Sequence, residues 1–329
     1  MVRIAVDGMG GDFAPHEIVK GAESVHHERL ADIVLVGDEQ RLRPLVQDGS
    51  IEIVHTPVEV SMDESPSAAL RKKRDCSMNM AFELLKAGEV QAVVTAGNSG
   101  AAMGFAIFTL GRLKGVDRPA IAALHPNARG RSTIVIDSGG NVDCKPGHLV
   151  QFAIMGEIFA RCAFGLDSPK VGLLSNATEE TKGNELTRES HAILKNAALN
   201  YLGYVEGSDM HSGDVDVVVT DGFVGNVALK ITEGVAEMFM GFLKGLAAEG
   251  DGQTPDSAVL KNAMKRIGQR FDYAAIGGAP LLGVDGVSII CHGKSSHHAI
   301  RNAVIMANNF VIKKLNQSIK ETMQEYESL

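Results

Sequence analysis

Residues 4–12, IAVDGMGGD, carry a short apolar run straight into a turn of glycine and aspartate, and helix-forming sequence follows. The pattern returns at 92–101 (AVVTAGNSGA), 133–143 (TIVIDSGGNVD), 171–184 (VGLLSNATEETKGN) and 217–226 (VVVTDGFVGN). Strand, turn and helix alternating at this spacing predict an α/β fold: a mostly parallel sheet with helices on both faces. In a parallel sheet these turns all lie along the carboxyl edge, where ligands bind. Glycines let the backbone approach a ligand, and helix N-termini aim N–H groups at anions. Such an edge suits a phosphate.

Working outward, Val2–Asp7 reads as a buried strand and Pro15 to about Arg29 as its crossover helix. Strands are expected at Asp32–Gly37, Ile51–Val54, Ala92–Thr95, Ala120–Leu124, Ser132–Asp137, Lys170–Leu174, Tyr201–Glu206, Val215–Thr220 and Val287–Cys291. One helix is expected from about Ser67 to Ala87. Others begin near Ser99, after Pro146, near Asn184, after Asp221 and at about Ser296, the last fraying over Lys320–Leu329. Between two amphipathic stretches lies Gly250–Pro255 (GDGQTP). Phe239, Phe242, Leu243 and Leu246 precede it at helical spacing; Leu260, Ala263, Met264, Ile267 and Phe271 follow. A helical hairpin over about 236–272 is the expectation, projecting from a single α/β domain of residues 1–329.

Composition narrows the function. With 329 residues and 45% hydrophobic content the chain can bury a large core. A net charge of -8 gives no field for nucleic acid. Cys76, Cys144, Cys162 and Cys291 are scattered, with no metal-ligand spacing, so a reduced cytosolic protein without metal is expected. The chain enters a strand at once, leaving no room for a signal peptide, and no apolar stretch approaches the roughly 20 residues of a membrane span. Membrane contact, if any, is peripheral.

Each constellation has a plain reading and a chemical one. Asp7–Asp12 (DGMGGD) is a tight turn in which Asp12 caps a helix, or a phosphate turn built on Gly10 and Gly11; it does not fit G-x-G-x-x-G. In AGNSGA, Asn98, Ser99 and Gly100 open a helix, and Ser99 lacks a nucleophile-elbow context. Lys182, before Gly183 and a helix start, is a solvated lysine or an anion clamp. Asp221, Asn226 and two glycines end another strand. His292, in a Gly/Ser turn, is structural or a general acid–base group. The run Arg71, Lys72, Lys73, Arg74 is a solvated helix face or a dock for an acidic partner.

Taken in order, RIAVDGMGGDFAP, LRKKRDCSM, AGNSGA, IDSGGNVDCKP, EETKGNEL, YVEGSD, VVVTDGFVGNVALK and GGAPLLGVDG resemble the PlsX family of phosphate acyltransferases over nearly the whole chain. Gly8, where that family more often has Ala, and His16, where a carboxylate is more usual, depart from the pattern. The resemblance implies a three-layer α/β/α architecture similar to phosphate acetyltransferases and the isocitrate dehydrogenase group. It also implies transfer of a fatty acyl group from acyl-acyl carrier protein to orthophosphate, for phospholipid synthesis. No cofactor is implied. The partners implied are acyl carrier protein, a second copy of the chain and a membrane glycerol-3-phosphate acyltransferase.

No Ser-His-Asp or Cys-His arrangement is recognisable, so direct attack of phosphate on the thioester is the economical mechanism. Lys182, Asn184, Asp221 and Asn226 are the candidate catalytic residues. Gly10, Gly11, Asn98, Ser99, Gly100, Gly139 and Asn141 are candidates for phosphate, with Asp7, Asp12 and Asp137 as supporting carboxylates. Arg71–Arg74 are the candidate carrier-protein dock, and Arg129 and Arg131 weaker ones. The face of Phe239, Phe242, Leu243 and Leu246 meets a membrane or a partner, or walls an acyl channel. A short-chain enzyme acting on acyl-coenzyme A and a non-catalytic lipid-surface scaffold are the competing readings; a nicotinamide-linked dehydrogenase lacks its fingerprint.

Overall fold

Ile4, Ala5 and Val6 are sealed from solvent on both sides of the first strand, and Ile33 to Val36 repeat this in the next. Strands apolar at every position need helices on both faces. The computed structural model, which describes residues 1–249, 264, 268 and 273–327, supplies them around one sheet of eleven strands.

The first half comprises β1 Arg3–Asp7, α1 His16–His27, β2 Asp32–Gly37, α2 Glu39–Leu42, β3 Glu52–His55, α3 Pro66–Lys72, α4 Ser77–Lys86, β4 Ala92–Thr95 and α5 Ser99–Thr109. In the second are β5 Ala120–Pro126, β6 Ser132–Ile136, α6 Pro146–Phe164, β7 Val171–Leu174, α7 Glu185–Leu194, β8 Tyr201–Val205, β9 Val217–Val219 and α8 Gly222–Glu249. The chain then returns through α9 Tyr273–Ile276, β10 Ala279–Leu282, β11 Val287–Ile290, α10 His297–Ile312 and α11 Leu315–Glu327.

Alternate strand residues feed opposite layers, as the period of two requires. Ile4, Val6, Ile33, Leu35 and Val94 pack with Ile18 and Val25 of α1 and Val304 and Phe310 of α10. Ala5, Val34, Val36 and Val93 pack with Met78 and Phe82 of α4 and Phe105 of α5. The three-layer α/β/α arrangement follows.

The strand order is β3-β2-β1-β4-β11-β10-β5-β6-β9-β7-β8. Pairing is parallel from β3 to β11 and from β6 to β8, but β11–β10, β10–β5 and β5–β6 are antiparallel. Three reversals leave β6 to β9 running against β1 to β4. The expected single carboxyl edge is therefore corrected to two. Turns after β1, β4 and β11 leave one edge; turns after β6, β7 and β9 leave the other. A twist of about 20° per strand accumulates to roughly 80° over the four steps from β4 to β6, swinging the second edge round toward the first. The β6 turn comes to lie beside α5, where a Cβ at Gly140 would sit 3.2 Å from Met103 Cε.

Local expectations need three further corrections. The helix read over Ser67–Ala87 is two, because Thr56 Oγ1 and Asn79 Nδ2 donate to the carbonyls of Asp75 and Arg74 at 2.6 Å, and Ser77 N–H donates to Val58 O. Those bonds withdraw the backbone groups a continuous helix would use. Gly277–Asp285, read as a turn, contains β10, whose Leu281 and Leu282 are buried against β5. The C-terminal helix is interrupted at Lys313–Lys314, and α11 runs through the stretch expected to fray, held by buried Ile319 and Met323.

Candidate active site

Three turns of the second half converge, and one buried carboxylate organises them. Asp137 Oδ1 accepts the N–H groups of Ile121 and Gly140 at 3.0 Å; Oδ2 accepts Asn141 N–H at 2.6 Å and Asn141 Nδ2 at 2.8 Å. Burial pushes this carboxyl above its ordinary range, against the pull of those four donors. The same loop receives the start of α8: Gly222 N–H donates to Asn141 O at 2.7 Å. Glycine is required there, because a Cβ at 222 would lie 2.7 Å from Asn141 backbone atoms, and one at 225 would overlap the Asp137 carbonyl. Asn226 lies alongside Gly139, whose Cβ position is 3.6 Å from the Asn226 side chain. Asp137, Gly139, Asn141, Asp221 and Asn226 therefore form one neighbourhood.

The β7 turn joins it across a cavity. Asn176 Oδ1 accepts Gly183 N–H at 3.0 Å, closing the loop 176–183, and Asn184 Oδ1 caps α7 by accepting Thr187 N–H at 2.8 Å. Asp221 Oδ1 caps α8 in the same way, from Val224 N–H at 2.9 Å. Both helix N-termini open onto a cavity of about 650 Å³ with Ser175, Asn176, Asn184, Thr187, Thr220 and Asp221 in its wall. Lys182 stands exposed one residue before Gly183, and Arg188 donates to the Gly183 carbonyl at 2.7 Å, so two cations flank this turn. The arrangement can hold and orient a small anion.

The polar cavity continues into an apolar groove of about 720 Å³, the two sharing Gly207, Met210, Ala228 and Ile231. Val224, Val227, Ala228, Ile231, Val235 and Phe239 form one stripe of α8 along both. From Val224 to Phe239 that stripe spans about 22 Å at the rise of an α-helix. Phe239, expected on a membrane, partner or channel face, is part of this wall. Ser175, Asn176, Thr187, Thr220 and the groove residues Met210 and His211 were not singled out from sequence. Asn176 and Thr220 carried a weak signal, each lying at a strand end.

The first-half turns are knitted to one another instead. Asp7 Oδ2 accepts Thr95 Oγ1 at 2.7 Å, and Oδ1 accepts Met9 N–H at 3.2 Å. Burial raises this carboxyl too, opposed by hydrogen bonds from Ser77, Thr95, Met9 and Gly10. A Cβ at Gly10 would lie 2.6 Å from Asp7 Oδ2 and 2.7 Å from Gly97 N. At Gly11, φ is 107°, and Asp12 N–H donates to Gly293 O at 2.7 Å. Asn98 Nδ2 donates to Met62 O and Glu64 O, and its Oδ1 caps α5 at Ala101. Ser99 and Gly100 open α5 beneath Pro66. His292 Nδ1 accepts Lys294 N–H, a bond that folds its own turn.

The cationic run is divided. Lys73 Nζ is engaged with Glu64 at 2.7 Å and Glu59 O at 2.8 Å, whereas Arg71, Lys72 and Arg74 are exposed. Arg129 is paired with Asp214. On α8, Phe242 and Leu246 are exposed and Leu243 is half-buried. Of the expected hairpin, Gly250–Pro255 and most of the following stretch, Leu260, Ala263, Ile267 and Phe271 included, lie outside the described residues. Cys144, beside the Asp137 loop, has its thiol pushed up to about 12 by burial and then by Asp137 and Asp221. It is no thiolate at neutral pH. Among the described residues, no helix is long and apolar enough to cross a membrane.

Comparison with known proteins agrees with this picture of the fold. The family profile described as "Fatty acid synthesis protein" matches residues 2–318. The chain is 51% identical to a phosphate acyltransferase of Geobacter sulfurreducens, covering 98% of this chain and 94% of that one. It is 46% identical to a phosphate acyltransferase of Pelotomaculum thermopropionicum, covering 99% and 96%. Among solved structures, a phosphotransacetylase from Streptococcus pyogenes superposes with a TM-score of 0.65 at 16% identity, covering 94% of each chain. A branched-chain phosphotransacylase from Enterococcus faecalis gives 0.58 at 14% identity, covering 94% of this chain and 99% of that one.

Proposed function

The chain belongs to the fatty acid synthesis protein family and is a phosphate acyltransferase of it; from that premise we propose that it moves a fatty acyl group from acyl-acyl carrier protein to orthophosphate by direct attack. The observation that carries the reading is the continuity of the polar cavity at the α7 and α8 N-termini with the apolar groove along α8. A phosphate fits the first and an acyl chain the second, and the thioester carbonyl then falls where they meet.

Each group has a role in that geometry. Lys182, beside the N-terminus of α7, neutralises and orients the phosphate. A phosphate oxygen attacks the carbonyl carbon, forming the C–O bond and a tetrahedral oxyanion. Collapse breaks the C–S bond, releasing acyl-phosphate and the carrier's thiolate, which takes a proton from solvent. Asn184 and Asn226 are the orienting amides; Asn141, whose amide donates to Pro119 O and Asp137, braces the loop with Asp137, and Asp221 caps α8. Preorganised donors of this kind are the largest usual source of rate in acyl transfer.

Arg71, Lys72 and Arg74 are assigned to the acidic carrier protein, and the exposed stripe Met238, Phe242 and Leu246 to a second copy of the chain or a membrane surface. The deciding assay follows acyl-phosphate formation with long-chain acyl-carrier protein, with acetyl-coenzyme A, and without phosphate. Phosphate-dependent turnover of the long-chain donor is expected. Preference for acetyl-coenzyme A supports the short-chain reading, and no turnover of either donor overturns the proposal.

A further inference from the structure

The apolar groove is not the last cavity along α8. A second one of about 510 Å³ lies beyond it, lined by His125, Leu124, Leu229, Met240 and Ile276 together with Glu233, Glu237 and Lys244. The two share Pro126, Thr232 and Ala236, which make the partition between them. One side chain ties that partition together. His211 Nδ1 lies 3.0 Å from Pro126 O and Nε2 lies 3.2 Å from Thr232 Oγ1. A carbonyl only accepts, so Nδ1 carries the proton. The single hydroxyl proton of Thr232 is shared between His211 Nε2 and Ala228 O, the latter 2.9 Å from Oγ1, and this pair of contacts fixes its rotamer on the helix. His211 thus clamps the end of β5 to the middle of α8.

We infer that the His211–Thr232 bridge is a chain-length gauge: it closes the acyl groove against the second cavity and so limits the donor the enzyme accepts. The inference rests on the acyl reading of the groove. The polar character of the bridge is what makes it a wall. An apolar side chain in place of His211 would fill space without anchoring strand to helix. Behind it His125, 1% exposed and 5.7 Å ring to ring from His211, has neither nitrogen hydrogen-bonded. This imidazole lines the second cavity together with Leu229 and Met240.

The test is kcat/KM over a series of acyl-carrier-protein donors of increasing length. His211→Ala removes the wall and is expected to raise the ratio of long to short donors by roughly tenfold for two added methylenes. Thr232→Val cuts the tie at constant volume and should move the profile in the same direction by less; it stands in if His211→Ala does not fold. Unchanged length profiles in the folded variants overturn the gauge. Ile231→Trp, which fills the groove ahead of the bridge, separates that failure from a deeper one. If Ile231→Trp disfavours long donors while the bridge variants change nothing, only the gauge is lost. If Ile231→Trp leaves every length untouched, the acyl reading itself fails and the gauge with it.

Discussion

The turns after β1 and β4 and those after β6, β7 and β9 read alike in sequence, yet they do different work. In the first set the polar groups face one another. Asp7 is consumed by Thr95, Ser77 and backbone donors, and Asn98 by the carbonyls of Met62 and Glu64. In the second set Asp137 and Asn141 are consumed in the same way, whereas Asn184, Thr187 and Asp221, though tied into helix caps, border an open cavity. A glycine-rich turn is therefore a lock when its polar atoms are paired within the fold, and a site when they flank empty space. Loss of chemistry in the second region and loss of stability or docking in the first is the expected division.

The sharpest break would come at Lys182. Lys182→Ala is expected to lower kcat by about 10²–10³ with an unchanged melting temperature, since the side chain is exposed. Turnover within a fewfold of wild type would remove it from the mechanism. Asp137→Ala should cost about 3 kcal/mol in urea unfolding, because it strands buried donors, and should lower kcat through the displaced loop. Retained stability would mean the loop is held by something else.

Reversing Arg71 and Arg74 to Glu tests the first region as a docking surface. KM for acyl-carrier protein should rise severalfold at low ionic strength and converge on wild type as salt rises, with kcat unchanged. A salt-independent KM returns the run to a solvated face. Asn98→Ala should cost about 1–2 kcal/mol through the lost cap and loop bonds, with kcat within a fewfold. A hundredfold fall in kcat without loss of stability would show that the first region also holds phosphate, and the contrast would fail.

The smallest effect is a pH slope. Burial raises Asp7 above its ordinary value of 3.8, so the folded chain binds that proton more tightly than the unfolded one. Its contribution to stability is present below pH 3.8 and declines as pH climbs through the raised value. Asp7→Asn should flatten this decline in urea midpoints measured from pH 4 upward, leaving the share that the likewise raised Asp137 contributes. An identical slope in the variant would show that Asp7 titrates at the same pH folded and unfolded.

Much of this was legible from residues alone. The short continuous apolar runs specified the strands, and the Gly/Asn/Asp punctuation specified the turns, because both depend on interactions within a few residues. The α3–α4 break was not legible, since Thr56 and Val58, some twenty residues earlier in the chain, engage the Asp75 carbonyl and the Ser77 N–H. Nor was β10: Pro280 followed by leucines reads as a turn until its register with β5 and β11 is known. His211 and Thr232, twenty-one residues apart, were silent for the same reason.

By itself, then, the amino-acid order determined an α/β chain, its strand-ending turns and the family those turns spell, all of which are local patterns. Only the tertiary structure decided which turns meet around a cavity and which merely brace one another. That choice rests on three antiparallel pairings and a sheet twist in the middle of the molecule, and strand direction is set by contacts between segments far apart in the chain, which no local pattern encodes.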